Sequence, residues 1–350
     1  MAYILNEKIR DLKPYDPIEG QYDIRLDANE SFCTVTTDIA AKMLYNAAFT
    51  ALNRYPDPIA KDVCSAFAEH YQVNAANVTA GNGSDELISV ICNAFLMKGD
   101  NMITLAPDFS MYKFYSSIVE ATCIEMKKRD DLTIDVDELI SLSNQNNAKM
   151  ILFSNPCNPT SLGLKREQVR KLIRSVNALV VLDEAYMDFW DQSLLSEVNE
   201  YDNLLILRTC SKAFGMAAVR LGFAVANATL TNAIKAVKSP YNVNSITQTL
   251  GTVILKEKEL SQAALREILD SKNDLYAGLK ELENKHPNQM KVYESCTNFV
   301  FIKTPKAKDI YEYLLKNSIA IRFMGEYIRI TAGTKAENAA VLEKLNAFSY

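Results

Sequence analysis

The chain has 350 residues, 48% of them apolar and 23% charged, with a formal net charge of −5. That acidic balance argues against a nucleic-acid or polybasic membrane footprint. A globule of this length buries roughly 75% of its unfolded surface, so it needs neither a metal nor a disulfide staple.

Seven scattered cysteines (33, 64, 92, 123, 157, 210 and 296) form no CxxC and read as free thiols of a reducing compartment. The two histidines, His70 and His286, stand among polar residues without HxxxH or HExxH spacing. They are expected at the surface, which speaks against a metal site and against Ser-His-Asp chemistry. The opening MAYILNEKIRDLKPY has no apolar core of a secretory signal, and the apolar runs are too short to cross a bilayer. A cytoplasmic protein with no membrane partner is expected.

In chain order, residues 1–30 read as an arm broken by Pro14, Pro17 and Gly20, with a short alternating stretch at 22–26 before the polar turn LDANES. Helices are expected over 38–52 and 60–72, separated by the proline-fixed Arg54-Tyr55-Pro56-Asp57-Pro58. Strands then alternate with helices: strands at 78–80, 102–105, 121–126, 150–153, 178–182, 204–207 and 222–226, and helices at 85–97, from about 108, at 135–142 and at 165–174. Such alternation predicts βαβ units in an α/β fold, a largely parallel sheet covered on both faces. Past Tyr241 a long amphipathic helical stretch, 246–284, leads into a smaller α+β unit with strands at 298–302 and 327–330 and helices at 307–316 and 335–346. A large domain over 32–245 is expected, with the arm 1–31 packing on a small domain over 246–350.

In an open parallel sheet, ligands bind beyond the carboxyl ends of the strands, and several strands here end in chemistry. The strand at 78–80 runs into Gly81-Asn82-Gly83-Ser84, where a helix N-terminus could take a phosphate or could simply be capped. It matches neither GxGxxG nor GxxxxGK[ST], which disfavours a nicotinamide-dependent oxidoreductase. The strand at 178–182 ends in Asp183, a structural carboxylate or the partner of a buried cation such as a pyridinium. Lys212 follows the strand at 204–207; it is a solvated loop lysine or an amine able to condense with an aldehyde, as pyridoxal phosphate (PLP) requires. Ser211 and Arg220 suit that cofactor's phosphate, Asn158 and Tyr186 its phenolic oxygen, and Tyr112 its ring face. Each residue has an ordinary structural explanation alone; their gathering at the strand ends of one sheet does not.

The blocks RYPD (54–57), GNGSDELI (81–88), NPCNPT (155–160), VVLDEAYMDF (180–189), RTCSKAFGMAAVRLGF (208–223), SPYNVN (239–244) and YIRITAGT (327–334) carry a resemblance. Through nearly its whole length the chain resembles the fold-type-I PLP-dependent aminotransferases, and more narrowly their histidinol-phosphate branch. The resemblance implies a large domain with a mostly parallel central sheet plus a smaller α+β domain. It makes Lys212 the Schiff-base lysine and proton carrier, pairs Asp183 with the pyridine nitrogen, and gives Asn158 and Tyr186 the phenolic oxygen. Tyr112 would cover the ring, and Ser84 and Asp85 (through backbone N–H), Ser211 and Arg220 would take the phosphate. Tyr55 would reach the neighbouring subunit's phosphate site, so a homodimer with shared active sites is implied. Arg329 would be the substrate-anion arginine, with Arg322, Tyr15 and Asn29 lining its pocket. The implied reaction is transamination of L-histidinol phosphate with 2-oxoglutarate in histidine biosynthesis. Rivals within the fold are a threonine-phosphate decarboxylase or an aromatic aminotransferase, and outside catalysis a PLP- or phosphometabolite-binding protein. The chain departs from the pattern at Ser161, where glycine is usual, at Phe109, in the short segment between Arg322 and Arg329, and in lacking a proline after LDANES.

Overall fold

The computed structural model of the chain describes residues 3–10, 12 and 18–350. After a two-residue strand in the arm, β1 (Ile24–Arg25), seven strands build the main sheet: β2 (Val78–Gly81), β3 (Asn101–Ala106), β4 (Thr122–Lys127), β5 (Met150–Ser154), β6 (Leu179–Asp183), β7 (Leu204–Thr209) and β8 (Gly222–Ala226). Their spatial order is β2-β8-β7-β6-β5-β3-β4. Neighbours from β7 to β4 pair in parallel, whereas β8 runs antiparallel to both β2 and β7.

Every residue of β5, β6, β7 and β8 is buried, as near-continuous apolar runs require when both sheet faces are covered. The period of two divides them between two cores. Val180, Leu182, Leu204 and Ile206 pack with Val63, Phe67, Leu139, Leu172 and Val253. Leu179, Val181, Leu205 and Leu207 pack on the other side with Leu87, Ile88, Ile91 and Ile234. Because β8 is reversed, its first residues arrive at the edge where its neighbours end: Gly222 lies opposite both Gly81 and Thr209.

A second sheet holds β9 (Lys291–Val292), β10 (Phe299–Lys303), β12 (Arg322–Met324) and β13 (Tyr327–Thr331) in the order β12-β13-β10-β9, while β11 (Ile319–Ala320) pairs in parallel with β1. Leu26 of the arm is buried in the same core as Leu275, Leu279, Ile302, Ile310, Ile328 and Val341.

The helical stretch expected as one piece over 246–284 is two helices, Ser245–Lys256 and Lys258–Lys285, turning at Glu257. No Pro or Gly marks the break. Packing makes it: Val253, Ile254 and Leu255 belong to the large core, whereas Leu275, Leu279 and Leu282 belong to the smaller one. A helix at Ala228–Val237, capped by the Asn227 side chain on the amide of Leu230 (3.0 Å), is additional to the expected elements. Neither histidine is fully exposed. His70 Nδ1 lies 3.0 Å from the carbonyl of Leu255, and His286 stacks on Tyr350. All seven cysteines are free. Among the described residues no helix is long and apolar enough to cross a membrane, and no group of three or more His, Cys, Asp or Glu is placed to hold a metal.

Candidate active site

One cavity of about 410 Å3 opens at the carboxyl edge of the main sheet, within the size range of small-molecule sites. One corner is made by close backbone approach. A Cβ on Gly222 would stand 2.2 Å from the amide nitrogen of Ser84, so only glycine lets β8 start against this helix N-terminus. Gly83, at φ +84°, would with a Cβ meet the Arg220 guanidinium at 2.7 Å. The first turn of the helix Ser84–Phe95 has amides with no intrahelical partner and a positive dipole end. Arg220 itself is left-handed (φ 55°) and exposed, with Nη1 donating to the carbonyl of Ala217 (3.2 Å). Thr209 donates to the Ser211 hydroxyl (3.0 Å) and accepts from its amide (3.1 Å). The carboxylate of Asp85 accepts from Tyr115 (3.0 Å).

Along the next wall, Asp183 is 5% exposed. It accepts from the Tyr112 hydroxyl (2.9 Å) and from the amide of Ala185 (3.1 Å). Among the described residues no cation pairs with it, and burial pushes its pKa up to about 6 despite those two donors. Tyr112 is wholly buried, edge-on to Phe109. Lys212 is half-buried; its Nζ donates to the carbonyl of Ala28 (3.2 Å) and stands 5.7 Å from the centroid of the Tyr186 ring. The Tyr186 hydroxyl accepts from Asn29 Nδ2 (2.8 Å). Asn29 is held in the left-handed region (φ 54°) and shares two hydrogen bonds with Thr331, both 3.1 Å.

The remaining wall is cationic. The buried Arg329 donates to Asn158 Oδ1 and, at 2.6 Å, to the carbonyl of Asp27. The short segment noted in the sequence is a tight hairpin: β12 and β13 are joined through Gly325 and Glu326, which sets Arg322 directly across from Arg329. Like charges in that register repel unless an anion lies between them. Both line the cavity.

The cavity therefore gathers Ser84, Asp85, Tyr112, Asn158, Asp183, Tyr186, Ser211, Lys212 and Arg220 with Asn29, Arg322 and Arg329. Tyr55 is not part of its lining; it is 82% exposed and stacked on Tyr241 at 4.7 Å. Tyr15 lies outside the described residues. Six polar lining residues stand beyond those expected from the sequence, namely Thr209, Ser154, Asp108, Asp27, Glu30 and Ser110. The first two are the last residues of β7 and β5, so the strand-end rule that marks Asp183 reaches them as well. Ser161 explains its own departure from glycine. It is left-handed (φ 60°), and its hydroxyl donates to the carbonyl of Glu294 at 2.7 Å, tying the loop of Asn158 to the segment before β10.

Comparison with known proteins gives the family of the chain. The family model described as aminotransferase class I and II matches residues 20–345. The histidinol-phosphate aminotransferase of Clostridium novyi (strain NT) is 39% identical over 352 residues, covering 99% of this chain and 98% of the relative. That of Clostridium kluyveri (strain NBRC 12016) is 38% identical over 348 residues, covering 98% of each. In three dimensions the chain is similar to the histidinol-phosphate aminotransferase of Sinorhizobium meliloti, solved in complex with pyridoxal-5'-phosphate. The TM-score is 0.86 at 22% identity, over 99% of this chain and 98% of the other.

Proposed function

Because this chain belongs to the aminotransferase class I and II family, we propose that it carries PLP and transfers the amino group of L-histidinol phosphate to 2-oxoglutarate. One observation carries the reading. A half-buried amine, Lys212, and a buried carboxylate without a cation among the described residues, Asp183, share a cavity with a cross-strand pair of guanidiniums.

The residues fit the cofactor. The glycine-lined corner of Gly83 and Gly222 leaves helix amides, the Ser211 hydroxyl and the Arg220 guanidinium to hold a phosphate. Asp183, which among the described residues has two neutral donors and no cation, is completed by a ring nitrogen that brings a proton. When bound, the cofactor supplies an electron sink for the bond broken at the substrate's Cα. Lys212 Nζ holds the cofactor's aldehyde and carries the proton taken from Cα. Asn158 and Tyr186 orient the ring's phenolic oxygen, and Tyr112 keeps water from the ring. Arg329 and Arg322 take the substrate anion. Histidinol phosphate offers a phosphate and no carboxylate, glutamate offers two carboxylates, and a guanidinium fork accepts either. The finer arrangement is a homodimer with shared sites, Tyr55 of each subunit completing the other's phosphate corner. The exposed apolar side chains Leu44, Tyr45, Phe49, Leu52, Tyr55 and Ile59, gathered within one stretch of the sequence, support it, since gathered exposed apolar side chains mark interaction surfaces.

The test is to load the purified protein with PLP and add L-histidinol phosphate or, separately, threonine phosphate. With histidinol phosphate the cofactor's absorbance converts to that of pyridoxamine phosphate, and 2-oxoglutarate restores it; sedimentation gives twice the chain mass. Carbon dioxide released from threonine phosphate, with no conversion by histidinol phosphate, would instead make the enzyme a decarboxylase.

Asp183 also gives a stability prediction for the cofactor-free protein. Its folded pKa of about 6 lies above the ordinary carboxylate value of 3.8. Between those values the folded state binds the extra proton, so this group's contribution to stability falls as pH rises from about 4 to about 6 and stays low above. Asp183→Asn should therefore stabilise the cofactor-free protein at pH 7 by about 2–3 kcal/mol and change it little at pH 4. Urea denaturation at the two pH values checks it; equal effects at both refute the assignment.

A further inference from the structure

Asp108, two residues beyond β3, lines the cavity and has no part in the reaction proposed above. Its Oδ1 accepts from the amide of Phe109 (2.8 Å) and from the Ser154 hydroxyl, and its Oδ2 from the amide of Ser154 (3.3 Å). With its one proton given to Asp108, the Ser154 oxygen has only lone pairs left, and these accept the amide N–H of Asn158 at 3.1 Å. The Asn158 side chain is fixed from its other end. Its Oδ1 accepts from Arg329, and a guanidinium can only donate, so the side-chain NH2 remains as the donor for a ligand.

The turn from Asn155 to Thr160 lacks two backbone donors, at Pro156 and Pro159, and closes on the residues just after it, Cys157 N–H donating to the Leu162 carbonyl and Ser161 N–H to the Cys157 carbonyl, both at 2.8 Å. It is gripped from outside on a second side. Lys128, buried just past β4, donates to Cys157 Sγ (2.8 Å) and to Thr160 Oγ1 (3.4 Å). Burial pushes the Asp108 carboxyl above its ordinary value, and the charge of Lys128 is the foremost influence holding it down.

We propose that Asp108, acting through the Ser154 hydroxyl, is a positioning residue that aims the Asn158 amide at the cofactor, with Lys128 as its counter-charge on the same turn. The inference rests on the reading of this cavity as a PLP site. It gives a function to a carboxylate that otherwise only adds negative charge near Asp183.

The test is a cycle of Asp108→Ala, Asn158→Ala and the double variant, with Ser154→Ala as the milder break that leaves both charges in place. PLP affinity is read from quenching of the single tryptophan, Trp190, whose ring packs against Gly163 of the same loop. The absorbance maximum of the bound cofactor is read in parallel. Asn158→Ala is expected to weaken PLP about tenfold, the scale of one hydrogen bond to a charged group, and to shift the maximum. Asp108→Ala and Ser154→Ala should each reproduce most of both effects in the parent, and Asp108→Ala should add nothing in the Asn158→Ala background. Equal effects in both backgrounds, or no spectral shift from Ser154→Ala, overturn the proposal. A parent protein that takes up no PLP overturns the functional reading itself; a parent that binds PLP but shows the additive pattern overturns this inference alone.

Discussion

Under the proposed reading, Lys212→Ala lowers transamination to about one ten-thousandth of the parent rate or less, because a positioned acid–base group alone contributes roughly 10^2–10^4-fold and this residue would also hold the cofactor. Borohydride treatment, which fixes PLP to the parent protein, leaves no cofactor on the variant. The fold survives the change. Lys212 gives up one hydrogen bond, to the carbonyl of Ala28 at 3.2 Å, and losses of that kind near the surface stay within about 0.5–1.5 kcal/mol. An undiminished borohydride adduct, mapped to any other lysine, would move the reactive amine elsewhere and with it the role given to Asp183.

The largest expected loss of stability comes from a residue that touches no ligand. Arg208 lies on β7, the strand that leads to Lys212, and is buried among acids from the segment after β6. Its Nη1 bonds Asp188 at 2.8 Å, and its Nε stands 3.1 Å from Glu184 without the alignment of a hydrogen bond. The Tyr71 ring lies under the guanidinium at 4.8 Å, and the Tyr71 hydroxyl donates to Asp188 at 2.8 Å. Ser193 donates to Glu184 at 2.6 Å. Glu184 and Asp188 flank Asp183 and Tyr186, so one side chain ties the lysine strand to the segment carrying both. Arg208→Leu leaves two acids facing each other in a dry site and should cost about 3–5 kcal/mol in urea denaturation. Arg208→Lys should recover less than half, since an ammonium cannot span both carboxylates and stack on the ring. Adding Glu184→Gln to Arg208→Leu should restore part of the loss, and its failure to do so would mean that packing, not charge, is what the arginine supplies.

The sequence makes legible what depends on neighbours along the chain. The apolar runs of β5, β6 and β7 announce a two-sided sheet, and Asp183 at the end of one of them announces a ligand edge. What depends on distant packing is hidden. Nothing near Glu257 signals a break, because the two leucine-bearing faces part company only when each finds its own core. Asn29 and Tyr186, bonded at 2.8 Å, are 157 residues apart. The opposition of Arg322 and Arg329 follows from a hairpin register, which spacing alone leaves ambiguous with a longer loop. Asp108 shows the same limit: it stands two residues past a strand end, and only the fold brings it to Ser154. The family resemblance supplied a role for Tyr55 that periodicity could not reach.

The reversed strand β8 decides which side of this cavity is stiff. Its first residue is laced to Gly81 on one side and Thr209 on the other, so the glycine corner is as stiff as the ladder itself and cannot swing aside without unzipping it. What can give way lies on the opposite flank, where Asn29, Asn158, Arg322 and Arg329 meet through side chains and a hairpin.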